Sequence, residues 1–337
     1  MVSFISFNTI IAGRFFSESI INLKNQINLN VPGGNALYAA AGFALWNRRT
    51  GIITKVCENQ SMEWVGDYQN FNIDTTGIIK YPGDFEDRAF YKIIDQQTVQ
   101  MDNPQKHFAE INMPFPKALL GYAPPGEHID SRTSSSPYSI QPADIPKEYL
   151  KANNLLLCPI DYYSHSLIPP FFRSQTSGNV ILCASDSYMH PSFCFDIPPL
   201  LRGISAFLAT EEQVRALFIG KSENISEILD WISNSVDIVC IFNTSGVNYL
   251  WDSLSKKKYE IPSYQTEVVD MSNTYAAFCG GFSAGFTTHF DPLPSILMGI
   301  ISASIKIEGS TPLHMLKILP ELAQARLEAL RESVKVL

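Results

Sequence analysis

The sequence lacks an excess of basic residues. Its 337 residues include 25 Lys and Arg against 33 Asp and Glu, which gives a formal net charge of −8 at pH 7. Binding to a phosphate backbone requires a basic surface, so this composition argues against a nucleic-acid partner. Hydrophobic residues make up 45% of the chain, enough for a large core without covalent cross-links.

Paired cysteines are also lacking. The six cysteines are scattered, without a CxxC motif or a Cys/His pair at the spacing of zinc ligands. Free cysteine is among the most buried residue types, so we expect reduced thiols in the core. These residues are Cys57, Cys158, Cys183, Cys194, Cys240 and Cys279.

A long uninterrupted apolar run is missing as well. The longest apolar stretch, residues 293–305, contains Pro294 and three serines, and is too short to cross about 30 Å of hydrocarbon as a helix. The apolar N-terminus has no positively charged region before its apolar run, which favours a first β-strand over a signal peptide. We therefore expect no membrane association and a cytoplasmic location.

Two common phosphate-binding motifs are absent. The segment from Gly280 to Gly285 has the glycine spacing of a P-loop, but Phe286 and Thr287 follow it where Lys and Ser/Thr are needed. No GxGxxG follows a strand-like run, so a Rossmann dinucleotide site is not supported.

Strand-like runs alternate with helical patterns along the chain. Their nearly continuous Val, Ile and Leu content is typical of strands buried on both faces, and the alternation predicts an α/β fold with one mainly parallel sheet. These runs are residues 4–12, 51–56, 154–159, 179–184 and 237–242.

Three other segments complete the predicted organisation of a single domain over residues 1–337. Residues 13–32 and 85–103 mix polar and aromatic residues in rough alternation, which predicts a small flanking β-sheet, or lid. The uncovered edges of such a sheet predict a homodimer formed through the lid. Residues 116–146 are rich in Pro, Gly and Ser and predict an exposed loop.

Two local patterns bear on a site. Gly33 and Gly34 precede an Ala-rich helical run, where glycine allows the backbone to approach a polar ligand closely; a tight loop packed on the sheet is the alternative. Thr210 and Gln213 have the spacing of a capping box at the start of a helix.

Five segments follow one another in an informative order: VPGGNALYAAAGF at 31–43, TEEQ at 210–213, Ser245-Gly246, DMSNTYAAFCGGF at 270–282 and ISASIKIEGSTPL at 301–313. Together they resemble the ribokinase-like (PfkB) carbohydrate kinases over nearly the whole chain. The resemblance implies a three-layer α/β/α fold with a mainly parallel central sheet and a small β lid. It also implies ATP- and Mg²⁺-dependent phosphoryl transfer to a hydroxyl of a sugar or nucleoside.

The family places the acceptor at the Gly-Gly loop, which corresponds here to Gly33, Gly34 and Asn35, with Tyr38 where many members have a sugar-binding Asn. Its signature Asp-Thr-Thr-Gly-Ala-Gly-Asp-Ala-Phe supplies the anion hole and the catalytic base. Such chemistry depends on positioning, charge stabilisation and a carboxylate that accepts the hydroxyl proton.

This chain departs from that signature. When Asp270 is matched to the first Asp and Phe278 to the Phe, Asn273-Thr274-Tyr275 replace the Gly-Ala-Gly of the anion hole. Ala276 then stands at the position of the catalytic base. A tyrosine at the third glycine position places a ring where backbone N–H groups would surround the transferring phosphoryl group.

Further departures affect the implied nucleotide and metal sites. In the Asn-x-x-Glu motif that helps to organise Mg²⁺, Thr210 and Gln213 replace the family residues. The nucleotide loop is reduced to Thr244, Ser245 and Gly246, after an Asn in place of its first Gly. The acceptor-binding Asp at the end of the first strand is absent, whereas Asp270, near the family's monovalent-cation site, is retained.

These departures predict impaired catalysis. Loss of a general base typically lowers a rate by about 10²- to 10⁴-fold, and loss of one oxyanion donor by about 10²- to 10³-fold. Such losses are not additive, and we expect a combined reduction of at least roughly 10³-fold.

Two alternatives stay open. An active sugar kinase could use a displaced carboxylate from the lid, namely Asp84, Glu86 or Asp87. Alternatively, the chain is a non-catalytic ligand-binding or interaction protein, and in the interaction case Tyr38 and Tyr275 would fill the cleft.

Overall fold

The structure is a computed structural model that describes residues 7, 9–46, 49–124 and 129–337. The predicted first strand begins within residues 4–8, of which only residue 7 is described, and part of the predicted exposed loop, residues 125–128, also lies outside the described residues.

Fourteen strands form two sheets in the described residues. The strands are β1 (Thr9–Ala12), β2 (Phe16–Ile21), β3 (Ile27–Gly33), β4 (Thr50–Cys57), β5 (Ile73–Tyr81), β6 (Arg88–Ile93), β7 (Val99–Gln100), β8 (Asn154–Leu157), β9 (Asn179–Cys183), β10 (Ala206–Thr210), β11 (Ile238–Phe242), β12 (Val247–Asp252), β13 (Lys257–Pro262) and β14 (Lys335–Val336).

Eleven α-helices of the described residues pack around the sheets. The helices are α1 (Asn35–Ala44), α2 (Val65–Gln69), α3 (Pro104–Glu110), α4 (Tyr162–Gln175), α5 (Ile197–Leu200), α6 (Glu211–Leu217), α7 (Ile225–Ser233), α8 (Thr274–His289), α9 (Pro292–Ile307), α10 (Pro312–Leu316) and α11 (Pro320–Arg331).

The central sheet has the strand order β14-β13-β12-β11-β10-β9-β8-β1-β4-β5. Neighbouring strands from β11 to β5 pair in parallel, whereas β12, β13 and β14 are antiparallel. Two large apolar clusters lie on this sheet, as expected when helices cover both faces of apolar strands. The predicted three-layer α/β/α fold with a mainly parallel sheet is confirmed.

The second sheet, with the order β3-β2-β6-β7, is the small β lid. Ile20, Ala89 and Tyr91 belong to the apolar cluster on one side of it, together with Met271 from the segment before α8. On the other side, Phe90 packs with Phe108 of α3, so the same chain also covers that face.

The segment at 116–146 is largely irregular, with two 3₁₀ turns. The prediction of an exposed loop is wrong for four of its residues, which are buried: Leu119, Asp130, Ser139 and Ile140. Asp130 and Ser139 are buried because hydrogen bonds tie them to the start of α4: Tyr162 N donates to Asp130, and Ser139 donates to Asp161.

The prediction of reduced thiols in the core is confirmed, because all six cysteines are free and buried. None of the described helices is long and apolar enough to cross a membrane.

Helices α1 and α8 pack closely against each other. A Cβ atom at Gly280 of α8 would lie 1.9 Å from Ala39 O of α1, and one at Gly42 would lie 2.4 Å from Ala277 O. The two helices therefore cross with their backbones in contact, and this crossing brings the start of α8 close to the Gly-Gly loop before α1.

Candidate functional site

The Gly-Gly loop connects the lid to α1 and encloses a carboxylate. Gly34 has φ 86°, a conformation that glycine adopts without strain, and its N–H donates to Glu18 Oε1 at 2.7 Å. A Cβ atom at Gly33 would lie only 2.2 Å from Glu18 Cδ. The space left by these glycines is therefore filled by Glu18, which extends from lid strand β2.

Glu18 joins three elements. Tyr38 Oη of α1 donates to Glu18 Oε2 at 3.2 Å, and Asn273 Nδ2 at the start of α8 donates to Glu18 Oε1 at 2.9 Å. Burial raises the pKa of the Glu18 carboxyl to about 7, although the Gly34 N–H bond opposes this shift. Near neutral pH this carboxyl group can therefore take up or release a proton.

A buried ion pair, formed by Lys306 and Asp270, lies near Glu18. Lys306 Nζ of α9 is 3.2 Å from Asp270 Oδ2, and both side chains are fully buried. Lys306 Nζ also donates to the backbone O of Asp270 at 2.9 Å, while burial lowers the pKa of this lysine. The position beside Asp270, where the resemblance implies a monovalent-cation site, is thus occupied by an ammonium group of the chain itself.

The start of α8 carries the degenerate signature. Asn273 has φ 54°, a left-handed conformation that asparagine tolerates better than most residues. Thr274 Oγ1 donates back to Met271 O at 2.6 Å. Ala276 is buried and contributes a methyl group that has no proton-accepting atom.

Tyr275 extends from the start of α8 to two strands of the central sheet, β10 and β11. Its hydroxyl donates to Leu208 O of β10 at 2.6 Å, and its ring stacks with Phe242 at the end of β11, at 6.2 Å between centroids. The ring is therefore held against β10 and the end of β11 near the first turn of α8, in the region where the signature predicts an anion hole.

Hydrogen bonds from Asn243 fill the space at the predicted nucleotide loop. Asn243 Nδ2 donates to Glu211 Oε2 of α6 at 3.0 Å, and Asn243 Oδ1 accepts from Ser245 N at 3.2 Å. A Cβ atom at Gly246 would lie 2.7 Å from Asn243 Nδ2, so the Asn243 carboxamide occupies the space above that glycine. Thr244, between these residues, is partly buried.

The predicted capping box is confirmed. Gln213 N donates to Thr210 Oγ1 at 3.2 Å, and Thr210 N donates to Gln213 Oε1 at 2.9 Å. Gln213 Nε2 additionally donates to Asp186 Oδ1 at 2.8 Å.

These contacts decide how well the residues suit Mg²⁺ and ATP. Magnesium prefers carboxylate oxygens and water as ligands, but the Gln213 side chain is a neutral amide whose oxygen and nitrogen are both hydrogen-bonded. The described residues contain no group of three His, Cys, Asp or Glu that could hold a metal ion. The Thr210 and Gln213 pair and the loop at 244–246 therefore do not fit the Mg²⁺-nucleotide site that the resemblance implies.

The predicted site residues form two groups. Gly33, Gly34, Tyr38 and Asn273 lie around Glu18, whereas Thr210, Gln213 and the loop at 243–246 lie around the start of α6. Asn35 has a structural position: its Oδ1 accepts from Arg14 N at 2.7 Å, and its Nδ2 donates to Pro159 O at 2.6 Å.

Sequence reasoning missed Glu18 and Lys306. Each is a charged residue inside a run that is otherwise apolar or weakly polar, FSESII in β2 and ISASIKI in α9. A charge in such a run is a signal of a buried ionic contact, since ionised side chains are seldom fully buried without a partner.

Two surface cavities lie apart from Glu18, Asp270 and Lys306. One, of about 450 Å³, is lined by Cys57, Asn59, Gln60 and residues 84–88. The other, of about 580 Å³, is lined by Arg215 and residues 218–223.

Comparison with solved structures identifies the fold. No family model matches the sequence, and no curated protein does. Among solved structures, adenosine kinase from Sinorhizobium meliloti superposes with a TM-score of 0.69 at 15% identity, over 96% of this chain and 99% of that chain. Fructokinase with bound ATP from Xylella fastidiosa gives 0.66 at 11% identity, over 96% and 98%.

Aminoimidazole riboside kinase from Salmonella enterica, complexed with aminoimidazole riboside and an ATP analogue, gives a TM-score of 0.65 at 13% identity, over 95% of this chain and all of that chain. The chain thus has the ribokinase-like fold over nearly its whole length, a fold it shares with sugar and nucleoside kinases.

Proposed function

We propose that this protein is a homologue of the PfkB carbohydrate kinases in which phosphoryl transfer is impaired. The observation that carries the proposal is the pair of residues at the start of α8. Ala276 provides no base, and the Tyr275 hydroxyl is bound to Leu208 O, with its ring in the region of the anion hole. Loss of these two functions removes both proton acceptance and charge stabilisation.

A turnover assay tests this proposal directly. Wild-type protein is incubated with ATP, Mg²⁺ and a panel of sugars and nucleosides, and ADP release is followed. We expect less than about 1 turnover per second for each acceptor, below the usual range of about 1 to 100 for kinases. Faster turnover on any acceptor would contradict impaired catalysis.

A gain-of-function series tests the cause. Tyr275→Gly opens the approach to the helix N-terminus, and the double variant with Ala276→Asp adds the missing carboxylate. We expect the double variant to exceed Tyr275→Gly by about 10²-fold, the lower end of a general-base contribution. The single variant is the matched control, because it differs only in the carboxylate. Equal rates would show that Ala276 does not limit the reaction.

Nucleotide binding is tested separately by calorimetric titration. Because the Asn243 contact with Glu211 occupies the loop and Gln213 is engaged in a capping box, we expect weak ATP binding, with a Kd of about 1 mM or higher, with or without Mg²⁺. Micromolar binding, which is about −8 kcal/mol, would show that the nucleotide site is intact.

The structure favours one second candidate, a slow kinase that uses Glu18 as its base. Glu18 Oε1 is 2.9 Å from Asn273 Nδ2 at the start of α8, and its pKa of about 7 suits a base at neutral pH. Residual turnover that falls by about 10²-fold or more in Glu18→Gln, with loss of its pH dependence, would support this candidate.

Two of the three lid carboxylates considered from the sequence, Glu86 and Asp87, have other contacts. Glu86 Oε1 is paired with Arg88 Nε at 2.7 Å, and Asp87 Oδ2 accepts from Cys57 N at 3.3 Å. Their described hydrogen bonds and ion pairs do not reach α8, so Glu18 replaces them as the carboxylate to test.

A further inference from the structure

Arg14 is a cation beside the Gly-Gly loop that has no role in the proposed phosphoryl transfer. It lies two residues beyond the carboxyl end of β1, and its backbone is held by the start of α1: Arg14 N donates to Asn35 Oδ1 at 2.7 Å, and Ala36 N donates to Arg14 O at 3.1 Å. A Cβ atom at Gly34 would lie 2.5 Å from Arg14 O, so the arginine directly adjoins the Gly-Gly loop.

Aromatic rings hold its guanidinium. The Arg14 Cζ atom is 4.5 Å from the ring centroid of Phe16, the first residue of the lid, and 3.9 Å from that of Tyr138 in the irregular segment. Such contacts engage the face of a guanidinium, whereas its N–H groups point outward in the plane of the group. The in-plane donors of Arg14 thus remain available.

Within the described residues, no carboxylate pairs with Arg14 at ion-pair distance. The two acids that influence it electrostatically have other contacts: Asp161 accepts from Ser164 N at 2.8 Å and from Ser139, and Asp130 accepts from Tyr162 N and from Ser187 Oγ, each at 2.7 Å. Removal from water lowers the pKa of the Arg14 guanidinium. Arg14 is partly exposed, so an anion can reach it, and a partly desolvated cation with no carboxylate at ion-pair distance would be stabilised by a bound anion.

We infer that Arg14 is an anion-binding residue beside the Gly-Gly loop, where the resemblance places the acceptor, and that the ligand carries a carboxylate or phosphate group. A planar guanidinium with free in-plane donors binds either oxyanion in a bidentate manner. The inference rests on the proposed function, since it assigns a ligand to the same cleft, but it requires no phosphoryl transfer.

The test is equilibrium binding without nucleotide. Calorimetry is carried out with gluconate, ribose 5-phosphate and inorganic phosphate, and with ribose as the neutral probe. We expect at least one anion to bind more tightly than ribose. Gluconate and ribose 5-phosphate distinguish a sugar acid from a sugar phosphate, and inorganic phosphate shows whether the sugar is needed.

Arg14→Gln should weaken anion binding by about 10- to 100-fold, the effect of losing a hydrogen bond to a charged group. Arg14→Lys should recover only part of it, because lysine keeps the charge without the planar fork. Arg132→Gln is the matched control: Arg132 also lies over a ring, 4.1 Å from the Phe193 centroid, but is paired with Asp196 at 2.8 Å. The Arg132→Gln variant should bind the anion as tightly as wild type.

A measurement on wild-type protein covers the case in which Arg14→Gln does not fold. The ¹⁵Nε resonance of Arg14 should shift on titration with the anion that binds and stay unchanged with ribose. The inference is overturned if no anion binds, if ribose binds as tightly as the anions, or if folded Arg14→Gln binds like wild type. Turnover plays no part in these outcomes, so they are independent of the kinase assay.

Discussion

At the scale of single residues, Glu18 couples the lid to the start of α8 through buried hydrogen bonds. Its pKa of about 7 lies above the ordinary value of 4.5, so the native state holds a proton that the unfolded state has released between these two pH values. Stability must therefore fall as the pH rises from about 4.5 to about 7, because the unfolded state binds fewer protons there.

Glu18→Gln should remove this pH dependence. The amide keeps the size of the side chain and an acceptor for Gly34 N, but it has no charge to desolvate. We expect its free energy of unfolding, measured by urea titration, to depend less on pH between 5 and 8 than that of wild type, by on the order of 3 kcal/mol. Glu58→Gln, at an exposed position, is the control and should keep the wild-type slope. An equally steep profile in Glu18→Gln would assign the pH dependence to other groups.

Lys306 gives a second prediction at this scale. Lys306→Met leaves the Asp270 carboxylate buried without its cation, so the free energy of unfolding should fall by about 3 to 5 kcal/mol. The double variant with Asp270→Asn should regain part of this loss, since neither charge remains. Lys258→Met, which breaks the exposed ion pair with Asp230, should cost less than about 1 kcal/mol. Similar losses in Lys306→Met and Lys258→Met would argue against the importance of the buried pair.

At the scale of elements, the crossing of α1 and α8 holds the start of α8 near the Gly-Gly loop. Gly280 has no room for a side chain, because an added Cβ atom would lie 1.9 Å from the backbone O of Ala39. Backbone atoms cannot rotate away as a side chain can, so the helices must separate to admit a methyl group.

Gly280→Ala should therefore destabilise the protein by about 3 kcal/mol, the upper end of the usual cost of overpacking. Thermal unfolding measures the loss. Gly66→Ala is the matched control: Gly66 also lies in a helix, and nothing lies within 4 Å of its added Cβ atom. It should be neutral or slightly stabilising. A neutral Gly280→Ala would mean that α1 and α8 move apart easily.

At the scale of the whole molecule, both faces of the lid carry apolar clusters that pack against other parts of the described chain, whereas its edge strands are open to pairing. One lid face packs toward the domain and the other against α3, so the homodimer predicted from the sequence would have to pair along β3 or β7. Leu29 of β3 is 43% exposed and marks that edge.

If the dimer forms through β3, light scattering after size-exclusion chromatography should show twice the monomer mass, and Leu29→Lys should shift the population toward monomer. A charged residue on an edge strand disfavours pairing with another strand. Leu254→Lys, at a 73% exposed leucine in the turn before β13, is the control and should leave the mass unchanged. Wild-type protein that stays monomeric at high concentration would contradict dimerisation.

Much of the molecule could be predicted from local sequence alone. Apolar runs such as residues 179–184 and 237–242 specify buried parallel strands. Successive side chains of such a strand point to opposite faces of the sheet, and both faces are covered by helices. Thr210 and Gln213 specify a helix start, because a capping box involves only residues three positions apart. The absence of a carboxylate at Ala276 is likewise a property of the sequence.

Other features depend on the tertiary structure, because they join residues far apart in the chain. Glu18 contacts Asn273, and Lys306 contacts Asp270, only after the lid, α8 and α9 have assembled. Whether a buried charge is tolerated depends on the partners that folding brings to it. The sequence alone thus determined the layers of the fold and the missing base, whereas the assembled structure decided that Glu18 fills the Gly-Gly loop and that, within the described residues, Arg14 has no carboxylate at ion-pair distance.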